Sequence, residues 1–218
     1  CFGPAPGREW WDMDFQSIED RIPAYESGEP ALIELFERPN EPPYWGSNHN
    51  LTCSILWPEI YMPLADKGAF KDRYINEYKR AKNTNFAKNY LAGKRKVDST
   101  AQVSGAFDLL NRAKPMLTKL QNKYLRDAET TGWVHTLPTR AIDPKRGYPI
   151  LAGRTSDGRV LSTTPFNYHT SGTACECKNL ALVRCAKQCA DWRAEGFDAW
   201  VCLEIHDELL FDFPLGDT

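Results

Sequence analysis

The chain has 218 residues, of which 42% are hydrophobic and 12% aromatic, so it is long enough for one or two domains with a proper core. No apolar run reaches about 18 residues and no charged, apolar leader opens the chain, so we expect neither a membrane span nor a signal peptide. A net charge of −2 does not by itself indicate a nucleic-acid-binding protein. The first residue is not Met, so we expect an excised piece of a longer chain.

The predicted elements alternate between strands and helices, which indicates an α+β fold. They are, in chain order, a strand over 8–15 ending near Asp14, a helix with a Ser17 cap, a helix opening at Glu29-Pro30, a loop over 37–50, a helix from 51 to Pro58, helices over 69–92 and 104–128, a strand and turn over 132–142, a loop and hairpin over 143–160, a helix over 173–194 and a hairpin over 201–214. We expect the helix over 104–128 to tolerate Pro115.

The seven cysteines, an odd number, indicate free thiols and a reducing compartment. Cys175 and Cys177 are two residues apart, whereas zinc knuckles use C-x2-C. Leu182, Cys185 and Cys189 fall on one face of the last predicted helix. We therefore expect small thiols packed in a helix interface rather than a zinc site.

Positive charge is concentrated over 78–97, where seven bases occur without an acid: Lys79, Arg80, Lys82, Lys88, Lys94, Arg95 and Lys96. Lys82, Phe86 and Tyr90 recur every four residues and so share one face of a helix. A cation beside two aromatic rings fits a ligand with phosphates at one end and a planar base at the other. A solvated basic face with a snorkelling lysine is the alternative.

The C-terminal stretch VCLEIHDELLFDFP alternates apolar residues on both sides of His206-Asp207-Glu208. It predicts a hairpin. Its tip is either an ordinary polar turn or a rigid turn that holds two carboxylates in place for a function. Asp14, at the predicted end of the first strand, would repel Asp207 if the two came together without a cation. Two Mg²⁺ ions between such carboxylates are the usual arrangement for phosphoryl chemistry.

Taken in order, these segments resemble the family A DNA polymerases, the bacterial DNA polymerase I group and its phage relatives. DFQSIEDR is similar to motif A (D-Y-S-Q-I-E-L-R), KNTNFAKNY matches motif B (K-x3-F-x3-Y), and LEIHDELLF is identified as motif C. SGEPALIELF, GWVHTL and NYHTSGTA resemble intervening family segments.

The resemblance implies roles for residues in the site. The residues implied at the metals are Asp14, Asp207, the Phe15 carbonyl and, in support, Glu208. Those implied at the incoming nucleotide are Lys82, which also aids the leaving pyrophosphate, Glu19, which excludes a 2′-hydroxyl, and His49, Phe86, Tyr90 and Arg80. Those implied at the primer–template are Arg21, Arg140, Asn167, Ser171 and His206.

Three positions depart from the family pattern. Tyr78 stands where the family has an arginine, Leu91 where it has the glycine after the motif B tyrosine, and Ser171 where it has a glutamine. We expect activity, because Asp14, Lys82 and Asp207 are intact, but with nucleotide affinity or fidelity altered by the three departures.

The resemblance implies a right-hand polymerase palm, built on an antiparallel sheet, with helical fingers and without thumb or exonuclease. The expected domains are palm over 1–48, fingers over 49–128 with the motif B helix over 69–92, and palm over 129–218 with the motif C hairpin over 199–213. The implied function is DNA-templated addition of deoxynucleotides to a primer 3′-hydroxyl with two Mg²⁺ ions.

The implied partners are primer–template DNA and dNTPs, with any processivity factor unknown and no membrane. The implied location is the cytoplasm of a bacterium or phage-infected host, with an organelle left open. Two alternatives stay open: a single-subunit RNA polymerase, and a catalytically impaired nucleic-acid-binding protein derived from a polymerase.

Overall fold

A computed structural model describes residues 3–39, 41, 47–64, 69–138, 147–206 and 208–216. These residues form helices and antiparallel strands, which confirms the predicted α+β class. The helices are α1 (Ile18–Ser27), α2 (Pro30–Glu37), α3 (Asn48–Leu56), α4 (Pro58–Tyr61), α5 (Phe70–Arg73), α6 (Ile75–Asn89), α7 (Lys94–Ala101), α8 (Ala106–Ala113), α9 (Pro115–Thr131) and α10 (Pro165–Ala194). The strands are β1 (Arg8–Asp14), β2 (Trp133–His135), β3 (Pro149–Leu151), β4 (Trp200–Ile205) and β5 (Glu208–Pro214).

The larger sheet joins the two ends of the chain, because its strand order is β1-β5-β4 and both neighbours run antiparallel. The β4–β5 hairpin confirms the prediction over 201–214. In the ladder Asp14 pairs with Glu208, and Glu208 pairs with Ile205 on the other side. All three strands therefore end at one edge of the sheet, beside the turn that contains His206.

Helix α10 covers one face of this sheet. Leu209 and Phe211 are buried against it together with Cys189, and Cys185 packs at the margin. Burying a side chain such as Phe211 stabilises the fold by about 1.5–3 kcal/mol. The predicted packing of small thiols in a helix interface is confirmed for Cys185 and Cys189.

The predicted helix over 104–128 is wrong as one element, because it divides into α8 and α9. Lys114, between them, has φ −131° and ψ 64°. Proline disfavours the helical conformation of the residue before it and cannot donate a backbone hydrogen bond, so Pro115 begins a new helix instead of being tolerated within one.

The predicted helix over 69–92 also divides, into α5 and α6, at Tyr74. The Tyr74 ring packs on Phe70 with the two centroids 5.0 Å apart, which draws this residue toward a local apolar cluster. Two further boundaries differ from the prediction. Helix α10 already begins at Pro165, and Ser17 adopts a left-handed conformation (φ 54°) whose side chain makes no cap hydrogen bond.

A buried polar cluster joins α1 to α10. His169 is fully buried, and its Nε2 lies 2.6 Å from Glu26 Oε2 while its Nδ1 lies 2.6 Å from the carbonyl oxygen of His135. Tyr124 stacks on the imidazole and donates a 2.5 Å hydrogen bond to the other oxygen of Glu26. These contacts fix the spacing of the two helices that carry several predicted site residues. Among the described helices, none is long and apolar enough to cross a membrane.

Candidate active site

A cavity of about 580 Å³ opens between the start of α1, the start of α3, the face of α6, the middle of α10 and the β4–β5 turn. Six residues predicted from the sequence line it together: Glu19, His49, Lys82, Phe86, Ser171 and His206. These residues come from five separate parts of the chain, so the fold brings them to one place. The cavity is therefore the candidate site.

The acidic edge of the sheet lies beside this cavity. Asp14 is exposed at the end of β1, opposite the half-buried Glu208, and half-buried Phe15 follows. Lys178 lines the cavity, donates a 2.8 Å hydrogen bond to the carbonyl oxygen of His206 and forms an ion pair with Glu204. Asp207 lies outside the described residues, so its predicted pairing with Asp14 stays a prediction.

Helix α6 presents Lys82 and Phe86 to the cavity, as their four-residue spacing predicts. The ammonium of Lys82 is 5.8 Å from the centroid of the Phe86 ring, and both side chains are exposed. Tyr90 is also exposed but sits at the C-terminal cap of α6, outside the cavity lining. Arg80 lies 4.0 Å from Glu77 in an ion pair on the same helix.

His49 is held in one tautomer by its neighbours. The Asn85 Oδ1 accepts a 2.7 Å hydrogen bond from Thr52, and its Nδ2 donates to the carbonyl oxygen of Asn48 at 3.2 Å. The same Nδ2 lies 3.0 Å from His49 Nδ1, which must therefore accept. Neutral His49 thus carries its proton on Nε2, the donor that it can offer to a ligand.

The pKa of His49 is lowered, mainly by burial of the imidazole. The charge of Asp20 opposes this shift, whereas the positive charges of Lys82 and Lys114 add to it. Both the hydrogen bond from Asn85 and the lowered pKa favour the neutral ring near pH 7.

A polar network that the sequence analysis missed begins at Asp20 and Asn89 in the cavity lining and continues to the buried Asn48 and Lys114. Asn48 donates a 3.0 Å hydrogen bond to Asp20, and its Oδ1 accepts one of 3.0 Å from Lys114. Asn89 donates to the same Asp20 oxygen at 3.4 Å. Burial lowers the pKa of Lys114 to about 8. The spacing of Asn85 and Asn89 from Lys82 places them on the cavity-lining face of α6, and this is the signal that could have identified them.

On the α10 side, Ser171 donates a 2.6 Å hydrogen bond to Oε1 of Glu19 and lies 3.4 Å from Asn167 Oδ1. Arg21 instead contacts the carbonyl oxygens of Gln16 and Phe36. The structure therefore brings Ser171 to the cavity, with Asn167 one turn before it on α10 but outside the cavity lining. The guanidinium of Arg21 supports the turn before α1.

Arg140 lies outside the described residues. Its predicted contact with primer–template DNA, like those of Arg21, Asn167 and His206, stays a prediction.

The sequence model of DNA polymerase family A matches the whole chain, residues 1–218. The chain belongs to DNA polymerase family A. The resemblance drawn from the motifs is thereby confirmed.

Similarity to individual family A proteins is low in identity but extends over nearly the whole chain. The chain is 25% identical to the DNA polymerase of Mycobacterium phage D29 over 98% of its own length and 30% of the phage protein. It is 26% identical to the thermostable DNA polymerase I of Thermus thermophilus, covering 93% of this chain and 22% of that protein. The chain thus spans less than a third of these relatives.

A solved structure has the same fold. The POL domain of Pol1 from M. smegmatis, in complex with DNA primer–template and dNTP, superposes with a TM-score of 0.71 at 20% identity. The match covers 99% of this chain and 35% of that one.

Two departures from the family A motifs have visible consequences. Leu91, at the family glycine position, has φ 52°, a left-handed conformation that costs a residue with a side chain about 1 kcal/mol or more. Tyr78, at the family arginine position, packs edge-to-face against His49 with the ring centroids 5.9 Å apart. It therefore supports the imidazole but supplies no positive charge.

The family uses divalent metal, and the donors at the sheet edge fit Mg²⁺, because Asp14 and Glu208 offer the carboxylate oxygens that this ion prefers. Within the described ranges, no group of three or more His, Cys, Asp or Glu residues is placed to hold a metal ion. Asp207, which directly precedes Glu208 in the sequence, stands outside those ranges.

Proposed function

We propose that this chain carries the active site of a DNA-templated DNA polymerase. The observation that supports it is the convergence of Glu19, His49, Lys82, Phe86 and Ser171 on one cavity beside the Asp14–Glu208 sheet edge. A cavity with a cation and an aromatic ring on one wall, beside a sheet edge that carries carboxylates, is suited to a nucleoside triphosphate and the metals that accompany it.

The proposed reaction is nucleotidyl transfer. The primer 3′-oxygen forms a bond to the α-phosphorus of the dNTP as the bond from that phosphorus to the bridging oxygen breaks, releasing pyrophosphate. The proton of the 3′-hydroxyl is lost to solvent. Because little covalent chemistry is required of the protein, its contribution is positioning and charge stabilisation.

In this proposal α6 binds the triphosphate and the base. Lys82 pairs with the phosphate oxygens and with the leaving pyrophosphate, and Phe86 packs against sugar and base. The neutral Nε2–H of His49 donates to a phosphate oxygen. Tyr90, at the C-terminal cap of α6, would lie at the templating position, and Arg80, two residues before Lys82, would face the outer phosphates.

Asp14, Asp207, Glu208 and the carbonyl of Phe15 would hold two Mg²⁺ ions. When bound, these ions would supply activation of the 3′-hydroxyl and neutralisation of phosphate charge. Glu19 would close the cavity beneath the sugar, so that a 2′-hydroxyl meets the carboxylate. Asn167, Arg140, Arg21 and His206 would face the primer–template.

We propose the same division of the chain as the motifs imply. Residues 1–48 and 129–218 would form the palm, and 49–128 the fingers. Closure of the finger helices over a correct base pair would provide specificity by induced fit.

The test is primer extension by the natural protein that carries this chain, with Mg²⁺ and either dNTPs or rNTPs. We expect extension with dNTPs that chelation of the metal abolishes. Preference for rNTPs would support a single-subunit RNA polymerase instead, and primer–template binding without extension would support an impaired binding protein. Asp207→Ala should abolish extension while leaving the Kd for primer–template nearly unchanged, and extension that survives would remove this residue from the site.

A further inference from the structure

One side-chain contact within the cavity is not accounted for by the roles above. Ser171 Oγ lies 2.6 Å from Oε1 of Glu19, closer than it lies to Asn167 on its own helix, at 3.4 Å. In the described part of the chain, Ser171 is the residue that donates a hydrogen bond to this carboxylate. The family resemblance implies a contact of Ser171 with primer–template DNA instead.

Helices α1 and α10, which meet at this contact, are also held together by a second contact, between Glu26 and His169. Glu19 and Glu26 are seven residues apart on α1, about two turns, and so lie on one face of the helix. Glu26 binds the fully buried His169 of α10 at 2.6 Å, two residues before Ser171. Because the Glu26–His169 contact is buried, it sets the distance across which Ser171 reaches Glu19.

The length of the side chain at position 171 matters for this geometry. The family pattern has a glutamine at this position, and its longer side chain would extend the amide past the helix surface. The short hydroxyl of Ser171 stays close to α10 and makes its shorter contact with Glu19 on the neighbouring α1. A hydroxyl donor restricts the carboxylate to one orientation, since a charge-assisted hydrogen bond is directional.

We propose that Ser171 is a positioning residue for sugar selection: it holds the Glu19 carboxylate at the cavity wall and thereby sets discrimination between dNTPs and rNTPs. This inference rests on the proposed function, because it gives Glu19 a sugar to exclude. Without the hydroxyl, Glu19 turns toward solvent, and a 2′-hydroxyl is accommodated at lower cost. The ratio of kcat/KM for dNTPs to that for rNTPs then falls, while the Kd for primer–template stays the same.

The experiment measures kcat/KM for single dNTP and rNTP additions by the natural protein and its variants. Ser171→Ala should lower the dNTP/rNTP ratio by about 5- to 10-fold, less than for a buried hydrogen bond to a charged group because Glu19 is exposed. Ser171→Thr keeps the hydroxyl and should restore the ratio to within about 2-fold. In a Glu19→Ala background, Ser171→Ala should change the ratio no further, because its effect passes through the carboxylate.

Ser99→Ala is the control, since this serine also lies within a helix but away from the cavity, where its hydroxyl bonds the carbonyl oxygen of Lys96 at 3.0 Å. Its ratio should equal that of the natural protein. Three results would each overturn this inference while leaving the proposed function intact. They are an unchanged dNTP/rNTP ratio in Ser171→Ala, an equal loss of the ratio when Ser171→Ala is made in the Glu19→Ala background, and a change confined to the Kd for primer–template. Absence of any dNTP extension by the unsubstituted protein would overturn the proposed function and this inference with it.

Discussion

Replacing Lys82 by alanine is the most direct perturbation of the proposed nucleotide site. Two opposite charges about 4 Å apart attract by about 4 kcal/mol at the effective dielectric constant of a protein surface. Lys82 is exposed, and solvent screening reduces this to about 2 kcal/mol. We therefore expect Lys82→Ala to lower kcat/KM for dNTP addition by about 30-fold.

The assay is single-nucleotide primer extension, with KM and kcat determined separately and the Kd for primer–template measured in parallel. Lys79→Ala is the matched control, because Lys79 is exposed on the same helix but does not line the cavity. It should change kcat/KM by no more than about 3-fold. Equal effects of the two substitutions, or a Lys82→Ala effect confined to the Kd for DNA, would refute the placement of the triphosphate against α6.

Three further predictions concern the sheet edge and the buried titratable groups. Asp14→Asn should lower kcat for extension by more than about 100-fold without loss of DNA binding, because the metals lose a charged ligand. Lys114→Met should raise the free energy of unfolding near pH 7 by about 1–2 kcal/mol. The substitution removes a buried charge that costs about 3 kcal/mol, and this gain is partly offset because the Asn48 acceptor loses its donor. Glu26→Gln should lower that free energy by about 3 kcal/mol near pH 7, because it leaves His169 without its carboxylate.

The pH dependence of each variant provides the control. The pKa of Lys114 is about 8 in the folded state and about 10.4 in the unfolded state. Between these two pH values the unfolded chain therefore binds more protons than the folded chain. Stability should therefore rise with pH across this window, and Lys114→Met should flatten the rise in urea unfolding. An unchanged slope would contradict the burial of this charge.

On the acid limb stability also rises with pH, because a lowered pKa again makes the unfolded chain bind more protons. Burial alone would raise the pKa of Glu26, but the hydrogen bonds from His169 and Tyr124 outweigh it, and the pKa is lowered. The stability that this carboxylate contributes is present above its unfolded pKa and is lost as the pH falls through the folded value. Glu26→Gln should remove that part of the acid-induced loss, and an acid limb identical to that of the natural protein would refute the assignment.

Local pattern predicted the parts of the fold that depend on local chemistry. The alternation on both sides of His206 predicted β4 and β5, and the four-residue spacing of Lys82 and Phe86 predicted that they share one face of α6, which lines the cavity. Pro115 was misread because a proline is compatible with both a kink and a new helix, and packing against Glu29 decides between them: its carboxylate accepts hydrogen bonds from the backbone N–H groups of Met116 and Leu117 at the start of α9.

The supporting network could not be predicted in the same way. Asp20, Asn48 and Lys114 are far apart along the chain, and no spacing rule brings them together. The contact between Ser171 and Glu19 likewise depends on how α1 crosses α10, which the buried Glu26–His169 pair fixes. Motif order could assign roles to single residues, but not the partners that orient them.

A crystal structure of the natural protein with primer–template, a non-extendable dNTP and Mg²⁺ would test the central claim most directly. The account predicts the triphosphate against Lys82 and His49, with carboxylate oxygens of Asp14 and Asp207 on shared cations. A nucleotide bound elsewhere, or Asp14 and Asp207 too far apart to share a metal cluster, would contradict it.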